Sequence, residues 1–398
     1  MEFHFANCTI DPDRHAFFRD GSPVHIEPQV FELLLTLIRQ EGRLVTKEEL
    51  IETVWRGLNV SDSTISARIN SARKAVGDTG QTQQIIKTIH GRGFKLLAKV
   101  TNNSTHTTAE SVPDVASSQR IQFTQSTAGT RIAYAQSGLG PPLIRAAHWL
   151  SHLELDWHRP VWRPLMEKLG NNHTLYCYDQ RGTGLSSRSL ENVGLDDFVQ
   201  DLKSVADASE LQSFPIFAAS QAVPVAIRFA HLYPERVSSL VLYGGYAEGR
   251  ALRKTTANDI DEATILGLIR AGWGKIDSPF VKAFTSLFLP DATTEQMESF
   301  VQMQNETISP DNAARLRQII DRFDVKNILS EIKVPTLVIH ASSDAVQPID
   351  QGRILASEIP NARYISLESR NHVPLPQEAC WESMMQEIEA FLEIQKNS

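Results

Sequence analysis

The sequence predicts two folds in tandem: a small α+β domain, then a larger α/β domain with a mostly parallel sheet. Three observations carry this. The chain has 398 residues, more than one ordinary core takes up. Up to residue 99, short alternating runs bracket three helical ones. From Ile121 onward, strand-like and helical runs alternate, which is the grammar of βα units. Between them lies VTNNSTHTTAESVPDVASSQ, residues 100–119, polar and nearly free of large apolar side chains. Such a segment cannot build a core and reads as a flexible linker. The expected domains are therefore 1–99 and 120–398.

Composition narrows the class. The chain is 41% hydrophobic and 22% charged, as in a globular protein, and no apolar run approaches the roughly 20 residues that span a bilayer. MEFHFANCTIDPD has neither a basic stretch nor an apolar one, so a cytoplasmic location without membrane attachment is expected. Cys8, Cys177 and Cys380 are scattered and read as buried reduced thiols. His148 and His152 are four apart with no third ligand in view, so neither a metal nor a cofactor is expected. Net charge is −8, but its distribution is uneven: residues 61–99 carry seven Lys/Arg against two Asp/Glu, and residues 1–60 six against ten. A basic segment confined to one region is an electrostatic footprint.

In the first domain, residues 3–26 alternate and turn at Asp20-Gly21, as short antiparallel strands do. EPQVFELLLTLIRQEG places Val30, Leu33, Leu34, Leu37 and Ile38 at helical spacing and stops at Gly42. TKEELIETVW opens with Thr46 and Glu49 spaced as a capping box. SDSTISARINSARKAV buries Ile65, Ile69, Ala72 and Val76 and leaves Thr64, Arg68, Ser71 and Ala75 opposite. IIKTIHGRGFKLLAKV supplies two strands joined through His90-Gly91-Arg92-Gly93. Strands, three helices and a glycine-tipped hairpin make a winged helix-turn-helix.

These motifs, EEL-VW, S-T-I-S-R-I-SARKA-GD and GRGF among them, resemble the OmpR/PhoB-type DNA-binding domain over residues 3–99. An order with no receiver ahead of it is closer to ToxR/CadC-like regulators. The resemblance implies a third helix in the major groove of double-stranded DNA and a wing on the minor groove or backbone. Candidate DNA contacts are Thr64, Arg68, Ser71, Arg73, Lys74, Lys87 and Arg92. Asn70 and Ser71 stand where the family is often basic.

In the second domain, ligands bind beyond the carboxyl ends of parallel strands. After PPLIRAA comes His148-Trp149-Leu150, after SFPIFAA comes Ser220, after PTLVIHASS comes Asp344, and after ARYISLES comes His372. YDQRGTGLS, SQAVPVAIRFAHLYPERVSSLVLYG and PTLVIHASSDAVQP resemble the α/β-hydrolases over about residues 120–395, and Ser, Asp, His is their triad order. The resemblance implies a nucleophile Ser220, a base His372 and an orienting Asp344. The oxyanion donors would be the amides of Gln221 and Leu150. Asp179, Arg181 and Gly182 are expected to be structural. Ala218 and Ala222 replace the glycines of G-x-S-x-G, adding one methyl each, and Trp149 stands where a glycine is frequent. Residues 246–327 read as a helical cap over the site, with His148, Trp149 and Trp273 as pocket candidates.

Together these features point to a transcription regulator that senses a small, partly apolar ligand in a hydrolase-fold pocket, with hydrolysis of that ligand open. The alternative is a serine hydrolase carrying an accessory DNA-binding domain, and fold alone does not decide. Winged helices of this type act in pairs, so a homodimer is expected, with RNA polymerase as a candidate partner.

Overall fold

The computed structural model describes residues 2–11, 16–20, 22–24, 26–40, 42–55, 60, 62–79, 81–89, 92–98, 100–103, 119–126, 129–253, 261–275 and 278–396. The chain divides into two compact units, Met1–Ser111 and Val112–Ser398.

The first unit opens with β1 (Glu2–Phe5), β2 (Cys8–Asp11), β3 (Ala16–Arg19) and β4 (Ser22–Pro23). Then follow α1 (Pro28–Arg39), α2 (Lys47–Trp55), α3 (Asp62–Ala75), β5 (Ile86–Ile89), β6 (Gly93–Leu96) and β7 (Val100–Asn103). The strands form an antiparallel sheet in the order β4-β3-β2-β1-β7, and β5 and β6 pair as the wing. Val100–Asn103 was expected to open the linker. It instead adds a strand along β1, with Phe5 opposite Val100. Residues 104–118 of the expected linker, and His90-Gly91 of the hairpin tip, lie outside the described residues.

Proline in the first turn of α1 suits a position with no intrahelical N–H bond to lose. Its Val30, Leu33, Leu34, Leu37 and Ile38 are buried against Ile65, Ile69 and Ala72 of α3. Each such side chain gains about 1.5–3 kcal/mol on leaving water. The capping box of α2 forms: the Glu49 amide donates to Thr46 Oγ1 (3.1 Å) and the Thr46 amide to Glu49 Oε2 (2.8 Å). At the root of the wing Gly93 has φ +141°, and a Cβ there would lie 2.0 Å from the Val45 carbonyl oxygen. Only glycine fits that approach.

The second unit contains β8 (Arg120–Gln125), β9 (Arg131–Ser137), β10 (Pro142–Arg145), α4 (Leu153–His158), α5 (Arg163–Gly170) and β11 (Thr174–Tyr178). It continues with α6 (Leu195–Ala208), β12 (Phe214–Ala219), α7 (Ala222–Leu232) and β13 (Val237–Tyr243). Next come α8 (Glu262–Gly272), α9 (Pro279–Phe288), α10 (Thr294–Thr307) and α11 (Pro310–Ile320). The unit ends with β14 (Thr336–Ala341), α12 (Ile349–Glu358), β15 (Arg363–Leu367) and α13 (Trp381–Lys396). One sheet runs β15-β14-β13-β12-β10-β11-β9-β8, with β10 to β15 parallel and β9 antiparallel to β11.

Strand alternation sends side chains to two cores. Ile216, Ala218, Leu240, Leu242 and Val338 pack toward α6, α7 and α12. Phe217, Ala219, Val241, Leu337 and Ile339 pack toward α5 and α13. Helices α8 to α11 fall between β13 and β14, where the cap was expected. Each has a side-chain N-cap, from Asp261, Ser278, Thr293 and Ser309 in turn. No helix among the described residues is long and apolar enough to cross a membrane.

Candidate functional site

Four strand ends converge at the carboxyl edge of the large sheet. Ser220 leaves β12 with φ +56°, its amide bonded to the Tyr243 carbonyl (2.9 Å), and α7 starts two residues later. Ala218 and Ala222 are fully buried beside it. The elbow therefore forms with alanine at both flanks. The tight contact lies one strand away, where a Cβ on Gly245 would stand 2.3 Å from Val223.

His372, after β15, lies with Nε2 2.8 Å from Ser220 Oγ and Nδ1 2.6 Å from Asp344 Oδ2. Asp344 Oδ1 accepts the amides of Val346 (2.7 Å) and Gln347 (3.0 Å). Burial pushes the Asp344 carboxyl up, but His372 and these two amides outweigh it and hold it below the usual range. Ionised Asp344 keeps the proton on Nδ1, which leaves Nε2 to accept from the serine hydroxyl.

The Gln221 side chain links the loop after β12 to the loop after β10. Gln221 Nε2 donates to the Ala147 carbonyl and to Gln180 Oε1, both at 2.9 Å. That ties the residue after Ser220 to the root of the turn holding Leu150. Leu150 has φ +59°, a backbone state that costs about 1–3 kcal/mol for a non-glycine residue and clusters at functional sites.

Two expectations at this turn divide. Trp149 packs beneath the cap, with Trp273, Phe284 and Phe288 around it. His148 has both ring nitrogens engaged inside the fold. Its Nδ1 meets the Trp149 carbonyl (2.6 Å), its Nε2 meets Asp156 Oδ2 (3.0 Å), and its ring stacks on Trp162 at 4.2 Å. Asp156 also receives buried Arg145 at 3.2 Å. Burial holds the His148 pKa below the ordinary histidine value, against the pull of Asp156. His148 is thus a strut under the turn. Spacing alone did not reveal Asp156 as its partner, because Asp156 sits on α4, beyond the turn that follows His148. Arg181 is likewise structural, held by Asp201 and Asp197. A cleft of about 560 Å³ lined by Trp157, Arg163, Lys168 and Trp381 includes none of the triad residues.

On the first unit, Lys74, Lys87 and Arg92 are exposed, and Thr64 and Ser71 are half-buried. Arg68 is engaged by Glu27 and by Gln29 Oε1 (3.1 Å). Arg73 does not stand where a DNA contact was expected. It is 5% exposed, and its guanidinium is committed to the Ile86 carbonyl (3.0 and 3.1 Å) and Thr88 Oγ1 (2.7 Å). It fastens the wing to α3 from inside and does not face solvent. Ala75 is also buried, so the outward stripe is Ser66, Ala67, Asn70 and Lys74. This stripe lies one position from the expected one, because a helical period fixes the edge of a face only to within a residue.

Comparison with known proteins agrees with both halves. Residues 21–96 match the family described as transcriptional regulatory protein, C terminal, and residues 152–379 match the alpha/beta hydrolase fold family. Pyrrolizixenacetamide deacetylase of Xenorhabdus hominickii is 25% identical over 62% of this chain and 91% of its own. The phosphate regulon regulatory protein PhoB of Klebsiella pneumoniae is 30% identical over 23% of this chain and 40% of its own. The crystal structure of a bromoperoxidase from Bacillus anthracis superposes with TM-score 0.54 at 22% identity, covering 69% of this chain and all of that one; this likeness concerns the fold. The chain belongs to the alpha/beta hydrolase fold family and carries, ahead of that domain, an OmpR/PhoB-type winged-helix DNA-binding domain.

Proposed function

We propose that this protein is a transcription regulator whose hydrolase-fold domain binds a small, partly apolar ester, lactone or amide and hydrolyses it at Ser220. The observation that carries this reading is the unbroken hydrogen-bond chain Ser220–His372–Asp344 in a chain that also holds a regulatory DNA-binding domain.

The chemistry follows from the geometry. Ser220 Oγ attacks the acyl carbon as His372 Nε2 takes the hydroxyl proton. The oxyanion forms against the amides of Gln221 and Leu150. His372 returns the proton to the leaving oxygen or nitrogen as the acyl bond breaks. Water then adds to the acyl-serine by the same route, releasing the acid and restoring Ser220. As a sensor, the ligand must bind one conformational state of the protein better than the other, since equal affinity shifts nothing. Turnover would then clear the signal. The proposed working form is a cytoplasmic homodimer on double-stranded DNA, with RNA polymerase as partner.

A fluorophosphonate probe and a DNA mobility shift test the two halves separately. The full chain should be labelled, and Ser220→Ala should abolish labelling. DNA binding should weaken steeply as salt rises. An unlabelled wild type overturns the hydrolase half; absence of salt-sensitive DNA binding overturns the regulator half.

A further inference from the structure

We propose that the acyl side of the Ser220 site is an aromatic box that takes an uncharged aryl or arylalkyl acyl group. This deepens the hydrolase reading above and rests on it. Trp149 directly precedes Leu150 of the oxyanion turn. Its ring centroid lies 6.4 Å from Trp273, 5.8 Å from Phe284 and 6.4 Å, edge-on, from Phe288. Phe284 reaches Trp273 at 5.8 Å and Phe288 at 5.2 Å. Phe288 meets the His372 ring edge-on at 5.5 Å, and its carbonyl accepts the His372 amide at 2.8 Å. The rings thus run without a break from the oxyanion turn to the base, and the cap supplies three of the four. A planar acyl group is the shape that makes offset and edge contacts with such walls, each worth about 0.5–1.5 kcal/mol beyond its buried area.

Two polar atoms of this cluster are left for a ligand to meet. Trp149 Nε1 and Gln304 Oε1 are buried without a hydrogen-bond partner among the described residues, in side chains 7% and 1% exposed. Gln304 belongs to the same box: its main-chain carbonyl accepts Trp273 Nε1 (3.1 Å), and its side-chain Nε2 donates to Thr285 Oγ1 (3.2 Å). Buried polar atoms are overwhelmingly paired in folded proteins. A spare donor and a spare acceptor beside aromatic faces suit a ligand that brings an ester, amide or ring hydroxyl. Charge is selected against. Arg317 lies 5.1 Å over the Trp149 ring, but Asp321 Oδ2 already pairs with it at 2.8 Å. An acyl carboxylate would be desolvated there without a free counter-ion.

The test compares 4-nitrophenyl phenylacetate, butyrate and hemisuccinate on the full chain, wild type and Phe284→Ala. We expect kcat/KM for phenylacetate at least tenfold above butyrate and a hundredfold above hemisuccinate. Phe284→Ala should cost phenylacetate tenfold and butyrate less than threefold. Butyrate or hemisuccinate equal to phenylacetate overturns the box. Calorimetry of phenylacetamide against butyramide, on Ser220→Ala, reads the box without turnover. An enzyme inert to all three esters whose Ser220→Ala form still prefers phenylacetamide sinks the hydrolase reading and keeps the box; equal binding of the two amides sinks the box.

Discussion

Along α3 the outward side chains Ser66, Asn70 and Lys74 stand exposed. Around Ser220 the polar groups are spent inside the fold: His372 on Asp344, Gln221 on Ala147 and Gln180, and His148 on Asp156. On the proposed function, the difference follows from what each site meets. A DNA phosphate arrives with its own charge and water, so exposed donors cost the fold little and act on arrival. A tetrahedral intermediate lasts too briefly for donors to reorganise, so they must be held in place beforehand. That arrangement includes two residues at positive φ, Leu150 and Ser220, a strain that the rest of the hydrolase unit must absorb.

The comparison breaks first at Asp344, if the catalytic side is not prewired. Asp344→Asn keeps the shape of the side chain but lets the wrong histidine tautomer form. Turnover of 4-nitrophenyl phenylacetate should fall about 10³–10⁴-fold in kcat, while affinity for DNA stays within twofold. A loss of less than tenfold would mean that His372 does not depend on this partner.

Acids sharpen the contrast by pH. In the hydrolase unit, burial pushes the Asp179 carboxyl up to about 7 against the Leu185 amide, with Asp156 adding to the rise. A raised acid favours folding below its unfolded value near 4, and that contribution is lost as pH climbs to about 7. Asp179→Asn, which cannot ionise, should therefore gain on wild type between pH 4 and 7, by up to about 4 kcal/mol, and hold level above. In the winged helix, burial pushes Asp78 up too. The amides of Ile86 and Ile85, the Thr82 hydroxyl and the Thr79 amide outweigh it and bring the carboxyl down to about 2. Its contribution is present above pH 4 and disappears as pH falls toward 2, so Asp78→Asn should cost stability at neutral pH and little at pH 2. Denaturant melts of the variants at pH 2, 4, 6 and 8 read both signs.

How far the sequence was legible follows the same division. The hydrogen-bonded neighbourhood of Ser220, His372 and Asp344 could be anticipated because each follows a strand of the parallel sheet, and the Thr46–Glu49 box because it is local. What escaped needed the tertiary fold: β7 pairing with β1 across most of the first unit, Arg73 reaching the Ile86 carbonyl, and the chain folding back after His148 so that Asp156 of α4 meets both His148 and Arg145. An arginine at the margin of a helical stripe looks solvent-facing until a strand from elsewhere offers it an oxygen.

Arg73, Lys74 and Asn70 give the finest test, because they share one helix and should differ in kind. Arg73→Ala leaves the Ile86 carbonyl and Thr88 hydroxyl without their charged donor and should cost about 2–3 kcal/mol in stability. Lys74→Ala should leave stability within about 0.5 kcal/mol, yet weaken DNA binding evenly across sequences and lower the salt slope by about one. Asn70→Ala should relax base preference at one position, since an asparagine amide can bond an adenine edge twice, worth about 1–3 kcal/mol against the wrong base. Selection of random duplexes by wild type and variant reads this directly. An unchanged consensus would mean that the recognition helix meets the groove with another edge, and that Asn70 is exposed to solvent without reading sequence.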